Sequence, residues 1–257
     1  MGARQLDGLG VVVAAMIALA GSAHTARAAE GEGRRPVVLV AGLMQDENTV
    51  APLAQALRAA GHDVTVYIPP NSGLDSIVGY ASQLAGTVEQ VRARTSAAQV
   101  DLVGHSEGGL TARRYVKDLG DAAPVHTLVS LGSPQQGTEG GLLALTLRVL
   151  GCETWSQACR EMLAGSPFLS EINGGDATPG DVRYVAVGTR QDGVVQPVER
   201  SGIPGGENVV MQDACRGRTV GHFGLLEDGW VHEVVLAVLA GGRPGGSCRA
   251  RPVGGPL

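Results

Sequence analysis

The chain has 257 residues, 44% of them hydrophobic and 18% charged, with a formal net charge of −5. That length suits one sizeable domain able to bury its own core, and the balance of residues is that of an ordinary globular protein. The small negative charge gives no basic surface for nucleic acid, so no nucleic-acid partner is expected.

The first segment reads as a targeting signal rather than as part of the fold. Arg4 precedes an apolar run from Val11 to Ala20, and Ala26-Arg27-Ala28 follows. Charge, apolar run and small residues in this order define a secretory signal, with cleavage expected after Ala28 and a domain over 29–257. The run is about half the ~20 residues a spanning helix needs, so no transmembrane anchor is expected in the mature chain.

Strand-like and helix-like stretches then alternate. Pro36 to Val40 reads as a buried strand, Val50 to Ala60 as a helix stopped by Gly61, and Val64 to Ile68 as a strand ended by Pro69-Pro70. A long helical pattern covers Ser76 to Arg94. Strand Gln99 to Val103 and helix Gly109 to Leu119 follow, then strands at 125–131, 182–187 and 208–212, and a closing helix at 225–239. Such βαβα alternation, with near-continuous Val and Leu in the strands, predicts an α/β fold with a mostly parallel sheet of about six strands and helices on both faces.

Residues 135–173 break the rhythm, because they separate two strands by more than an ordinary connection. Their apolar stretch, Gly141 to Leu150, reads either as a crossover helix or as a lid or wall of an acyl-binding cleft. Four cysteines, Cys152, Cys159, Cys215 and Cys248, suit disulfides in an exported chain. Three connectivities are available. The pairing Cys152–Cys159 with Cys215–Cys248 is favoured, because the second bridge would tie down a Gly/Pro-rich tail over 241–257. Neither pair has C-x-x-C spacing, which argues against zinc, and no metal or cofactor is expected.

The sequence Gly104-His105-Ser106-Glu107-Gly108 is a G-x-S-x-G motif. With 39 glycines and 13 serines in the chain, chance alone gives roughly 0.3 matches, so the bare pattern carries little. Its setting carries more. A strand before it and a helix after it would expose the serine on a strained turn. A serine hydroxyl needs a histidine to take its proton and an acid to orient that histidine. Both partners should follow the serine, at later strand ends, in the order acid then histidine. Asp192 lies a few residues beyond the strand at 182–187 and fits best, with Asp213 its main rival. Asp176 and Asp181 precede that strand. His62, His105, His126 and His232 sit in the wrong places, which leaves His222 on a loop after the last strand. Two backbone N–H groups should form an oxyanion hole: Glu107, after the nucleophile, and Leu43, in the loop Ala41-Gly42-Leu43-Met44 after the first strand.

Several ordered markers accompany the motif: Leu131-Gly132-Ser133-Pro134-Gln135-Gln136-Gly137-Thr138, Ser166-Pro167-Phe168-Leu169, Val195-Gln196-Pro197 and Gln212-Asp213-Ala214-Cys215 ahead of Gly221-His222. On these the chain resembles the secreted bacterial lipases and esterases of the α/β-hydrolase fold, especially the actinobacterial extracellular lipases, from about Pro36 to Leu239. The resemblance implies the α/β-hydrolase fold with a lid-like insertion, Ser106, Asp192 and His222 as a triad, and Leu43 and Glu107 as oxyanion donors. It also implies a disulfide from Cys215 to the tail. One departure is Ala41-Gly42, where many relatives have His-Gly. The expectation is a secreted carboxylic ester hydrolase, a triacylglycerol lipase that forms an acyl-enzyme on Ser106 and contacts lipid aggregates. The alternatives are a short-chain carboxylesterase or polyesterase, or a hydrolase-like binding protein without activity.

Overall fold

The computed structural model describes residues 34–139 and 151–251. The expected signal segment, the apolar stretch 141–150 and the last residues of the tail lie outside them. The chain divides at Arg34 into two units, and the fold belongs to the second, Arg35–Leu257.

Six strands form one sheet in the order β2-β1-β3-β4-β5-β6. They are β1 (Val37–Val40), β2 (Val64–Tyr67), β3 (Val100–His105), β4 (Val125–Leu131), β5 (Arg183–Gly188) and β6 (Glu207–Val210). All five pairings are parallel, as the apolar runs predict. β1 is completely buried and alternates between two cores. Val37 and Leu39 face α1 (Glu47–Ala59) and α8 (Gly229–Leu239) through residues such as Leu53 and Val234. Val38 and Val40 face α2 (Ile77–Thr95) and α3 (Glu107–Leu119) through Leu84 and Val116. Helices therefore cover both faces. The order reverses direction between β1 and β3, so the loops after these two strands diverge and leave a crevice at their carboxyl ends, where open α/β sheets place ligands.

Element ends differ from the sequence expectation where capping decides them. α1 starts before Val50 because Asp46 and Thr49 form a capping box. α3 starts at Glu107 rather than Gly109, because Glu107 and Gly108 are buried and carry on from the turn. The strand expected over 208–212 ends at Val210, and Met211–Ala214 turn into the short helix α7. The closing helix expected from 225 is two pieces. Phe223–Leu226 form a 3-10 turn, and Asp228 then starts α8 by accepting from the Trp230 and Val231 N–H groups.

The described part of 135–173 flanks the apolar stretch 141–150, whose reading as a crossover helix or a lid falls outside the described residues. It holds three short helices, α4 (Cys152–Trp155), α5 (Gln157–Glu161) and α6 (Pro167–Asn173). They form a satellite core in which Ala158, Phe168, Leu169 and Ile172 close on Ile77 of α2 and Leu110 of α3. Both named contacts lie in the first turn of their helices, at the end of the sheet where β3 delivers Ser106. Arg113 of α3 pins the segment at both ends. Its fully buried guanidinium donates to Gln135 Oε1 (3.0 Å), Asn173 Oδ1 (2.9 Å), and the carbonyls of Ile172 (3.1 Å) and Ala177 (3.0 Å). Cys152 pairs with Cys159 and Cys215 with Cys248.

Candidate active site

Ser106 lies between β3 and α3 with φ 56° and ψ −127°, a conformation that costs a non-glycine residue about 1–3 kcal/mol. The surroundings hold it there. Its N–H donates to the Leu131 carbonyl of β4 (2.9 Å), and its own carbonyl accepts from Gly109 N–H (3.1 Å). The motif glycines permit the corner. A Cβ at Gly104 would sit 2.5 Å from the Gly109 nitrogen, and one at Gly108 would drive into the Val40 carbonyl.

Two distant stretches converge on this serine. Ser106 Oγ lies 3.0 Å from His222 Nε2, and His222 Nδ1 lies 2.9 Å from Asp192 Oδ2. The other Asp192 oxygen accepts from the Val194 (2.8 Å) and Val195 (2.9 Å) N–H groups, which fixes the carboxylate. An ionised Asp192 can only accept, so Nδ1 carries the imidazole proton and Nε2 is free to accept from the serine. All three side chains are buried.

The rival residues are engaged elsewhere. Asp213 pairs with Arg190 (2.7 Å) on the surface. His62 faces the Arg35 carbonyl, His126 stands beside Asp101, and His232 bonds to the Leu226 carbonyl.

The loop after β1 reaches the same point. A Cβ at Gly42 would fall 2.9 Å from Ser106 Cβ and 3.2 Å from the Glu107 nitrogen, so the glycine lets the loop backbone close on the serine. The Leu43 and Glu107 N–H groups donate to no acceptor among the described residues. Their neighbours are committed, with Gly42 N–H to Gln45 Oε1 (2.8 Å) and Met44 N–H to the Ser72 carbonyl (2.7 Å). Two unfilled donors beside a histidine-bonded hydroxyl can receive an oxyanion.

Two features escape motif reading. Glu107 is completely buried, and neither of its oxygens has a hydrogen-bond partner among the described residues. Burial, with a smaller repulsion from Glu161, pushes its carboxyl well above the usual range and keeps it neutral. Gln45 is buried and touches both the loop and His105, and no sequence pattern marks it. Exposed apolar side chains lie on the two loops that carry Leu43 and His222. Met44 is 65% exposed and Phe223, beside His222, is 48% exposed.

Known proteins resemble the chain in sequence and in fold. Residues 36–164 match the family described as palmitoyl protein thioesterase. Triacylglycerol lipases of Pseudarthrobacter phenanthrenivorans and Burkholderia plantarii are each 35% identical over 113 residues, or 41% of this chain. The match spans 35% and 31% of those proteins, so the chain covers about a third of the length of these relatives. In fold, the chain is similar to Aspergillus fumigatus lipase B, with a TM-score of 0.68 at 16% identity over 85% of this chain and 55% of that one.

Proposed function

The chain belongs to the palmitoyl protein thioesterase family and has the α/β-hydrolase fold, and from that premise we propose that it is a serine carboxylic ester hydrolase with triacylglycerols as substrates. The observation that carries the reading is the hydrogen-bonded line from Asp192 Oδ2 through His222 to Ser106 Oγ. His222 Nε2 takes the hydroxyl proton as Ser106 Oγ attacks the ester carbonyl. The carbonyl oxygen gains the negative charge and accepts from the Leu43 and Glu107 N–H groups, each donor being worth about 3 kcal/mol in such a site. His222 then gives its proton to the departing alcohol, leaving an acyl-enzyme. Water, deprotonated by the same histidine, releases the carboxylic acid and restores Ser106. Asp192 holds the ring and stabilises the imidazolium throughout. No step calls on a metal or cofactor.

The triacylglycerol substrate is supported by the two lipase relatives and by the apolar Met44 and Phe223 at the site. Secretion agrees with the paired cysteines. Among the described residues no helix is long and apolar enough to cross a membrane. The helices within 151–173 would form a wall of the acyl cleft, since they pack beside the first turn of α3.

An active-site phosphonate is expected to label the wild-type protein and not Ser106→Ala; labelling that persists in the variant overturns the assignment. Rates on long-chain emulsions, soluble short-chain esters and acyl thioesters then fix the substrate class. A preference for short soluble esters would replace the lipase by an esterase.

A further inference from the structure

His105 occupies the first variable position of the motif and is completely buried. Its two ring nitrogens are both engaged. Nε2 lies 2.9 Å from the backbone carbonyl of His222, and Nδ1 lies 2.6 Å from Gln45 Nε2. The carbonyl can only accept, so Nε2 must carry the proton. Nδ1 is then bare and accepts from the Gln45 amide. That orientation turns Gln45 Oε1 toward the Gly42 N–H, which donates to it at 2.8 Å. One direction of donation therefore runs through three buried bonds. Gly42 gives to Gln45, Gln45 gives to His105, and His105 gives to the backbone of His222.

The two ends of this chain matter for the reaction. Gly42 precedes Leu43, the donor supplied by the loop after β1. His222 is the base. The intervening imidazole belongs to the residue before the nucleophile and lies with its ring centre 4.7 Å from that of His222. We infer that His105 is a positioning residue that, as a neutral Nε2–H imidazole, sets the oxyanion loop and the general base in register with Ser106. The inference rests on the hydrolase reading and deepens it.

Neutrality is essential to this role. A proton on Nδ1 would face the Gln45 amide hydrogens and force that amide to flip, which turns its NH₂ against the Gly42 N–H. The site guards against this: burial first, and repulsion from a charged His222 second, push the His105 pKa down to about 3. The proton accepted during turnover therefore stays on His222.

Two measurements test the assignment. Long-range ¹⁵N–¹H NMR of the resting protein should show His105 protonated at Nε2 and bare at Nδ1 from about pH 5 to 9. An Nδ1–H tautomer or an imidazolium in that range overturns the inference, and this arm needs no turnover. Kinetics on a soluble short-chain ester, with active sites counted by phosphonate, form the second arm. His105→Phe and Gln45→Leu should each lower kcat about 10- to 100-fold with KM within about twofold, the effect of slightly misplaced catalytic groups. Combined, they should cost little more than either alone, because both break the same chain. His105→Gln and His105→Asn keep one half of the chain each and should fall between wild type and His105→Phe. Unchanged kcat per titrated site, or single losses that multiply in the double variant, overturns the inference. A wild-type protein with no turnover on any ester would instead sink the hydrolase reading, and the NMR result would still decide the tautomer.

Discussion

Asp192 illustrates how one side chain sets the state of the next. Its ionised oxygen fixes the proton of His222 on Nδ1, while the Val194 and Val195 N–H groups fix the carboxylate. Replacing it by asparagine offers His222 a donor where it needs an acceptor. The proton moves to Nε2 and points at Ser106. For Asp192→Asn we expect kcat to fall on the order of 10³- to 10⁴-fold with little change in folding, measured on a soluble ester. Glu107 makes a different prediction, about stability. Its folded pKa is raised far above the ordinary 4.5 by burial, with Glu161 adding repulsion, and the buried Tyr67 and Tyr80 lie close by. The folded state therefore holds a proton that the unfolded chain releases above about pH 4.5. Stability is full below that value and falls as pH rises toward the folded pKa. Glutamine cannot ionise, so Glu107→Gln should gain in Tm over the wild type between pH 5 and pH 8. A Tm difference that ignores pH would refute a neutral, buried Glu107.

Among the elements, α3 does the most to organise the site. Its first turn presents the Glu107 N–H, Gly108 lets it cross β1 closely, and Arg113 reaches out to both ends of 135–173. Among the described residues Arg113 has only neutral acceptors, and burial lowers its pKa to about 10, which leaves it charged at neutral pH. Arg113→Leu would strand at least two buried carbonyls and two side-chain amides. We expect a loss of about 2–4 kcal/mol in chemical denaturation, given roughly 1–3 kcal/mol for each unsatisfied buried group and partial relaxation. Limited proteolysis should show new cleavage near residues 172–177. α5 adds a second tie, because Glu161 accepts from the Ile77 N–H (2.7 Å) and Ser76 Oγ (3.1 Å) and so caps α2 from outside it. A segment without regular periodicity is thus anchored by polar bonds to the two helices that flank the site.

For the molecule as a whole, the parallel sheet supplies the core and the cysteines secure its periphery. The bridge Cys215–Cys248 spans 33 residues and ties the chain after α8 to the end of α7. Arg218 reinforces it by donating to the Cys248 and Ala250 carbonyls while paired with Asp228, the cap of α8. On the chain-entropy model, closing such a loop stabilises by roughly 3–4 kcal/mol. The double variant Cys215→Ser/Cys248→Ser should lose about that much in equilibrium unfolding. Activity per folded molecule should persist, since the bridge touches none of Ser106, Asp192 or His222.

Much of this was legible in the residues. Runs such as Val37 to Val40 revealed parallel strands because a sheet covered on both faces tolerates no polar alternation. Chain order alone singled out Asp192 and His222, because an open sheet brings successive strand ends to one edge whatever their separation in sequence. Local caps moved the element boundaries. Asp46 and Asp228 are ordinary polar residues until their side chains find a helix N-terminus. Hydrophobic patterning could not disclose the second tier. His105 lies too near Ser106 in the chain to act as its base, Gln45 bears no pattern, and Arg113 is one arginine among many. Their importance rests on bonds such as Gln45–His105, Arg113–Asn173 and His105–His222, between residues 60 to 117 positions apart. By itself the sequence determined the sheet and the chain order of Ser106 and its proposed partners, because these follow from local pattern and topology. Only the tertiary structure decided which buried polar groups hold those partners in place, because a hydrogen bond between distant side chains leaves no period in the chain.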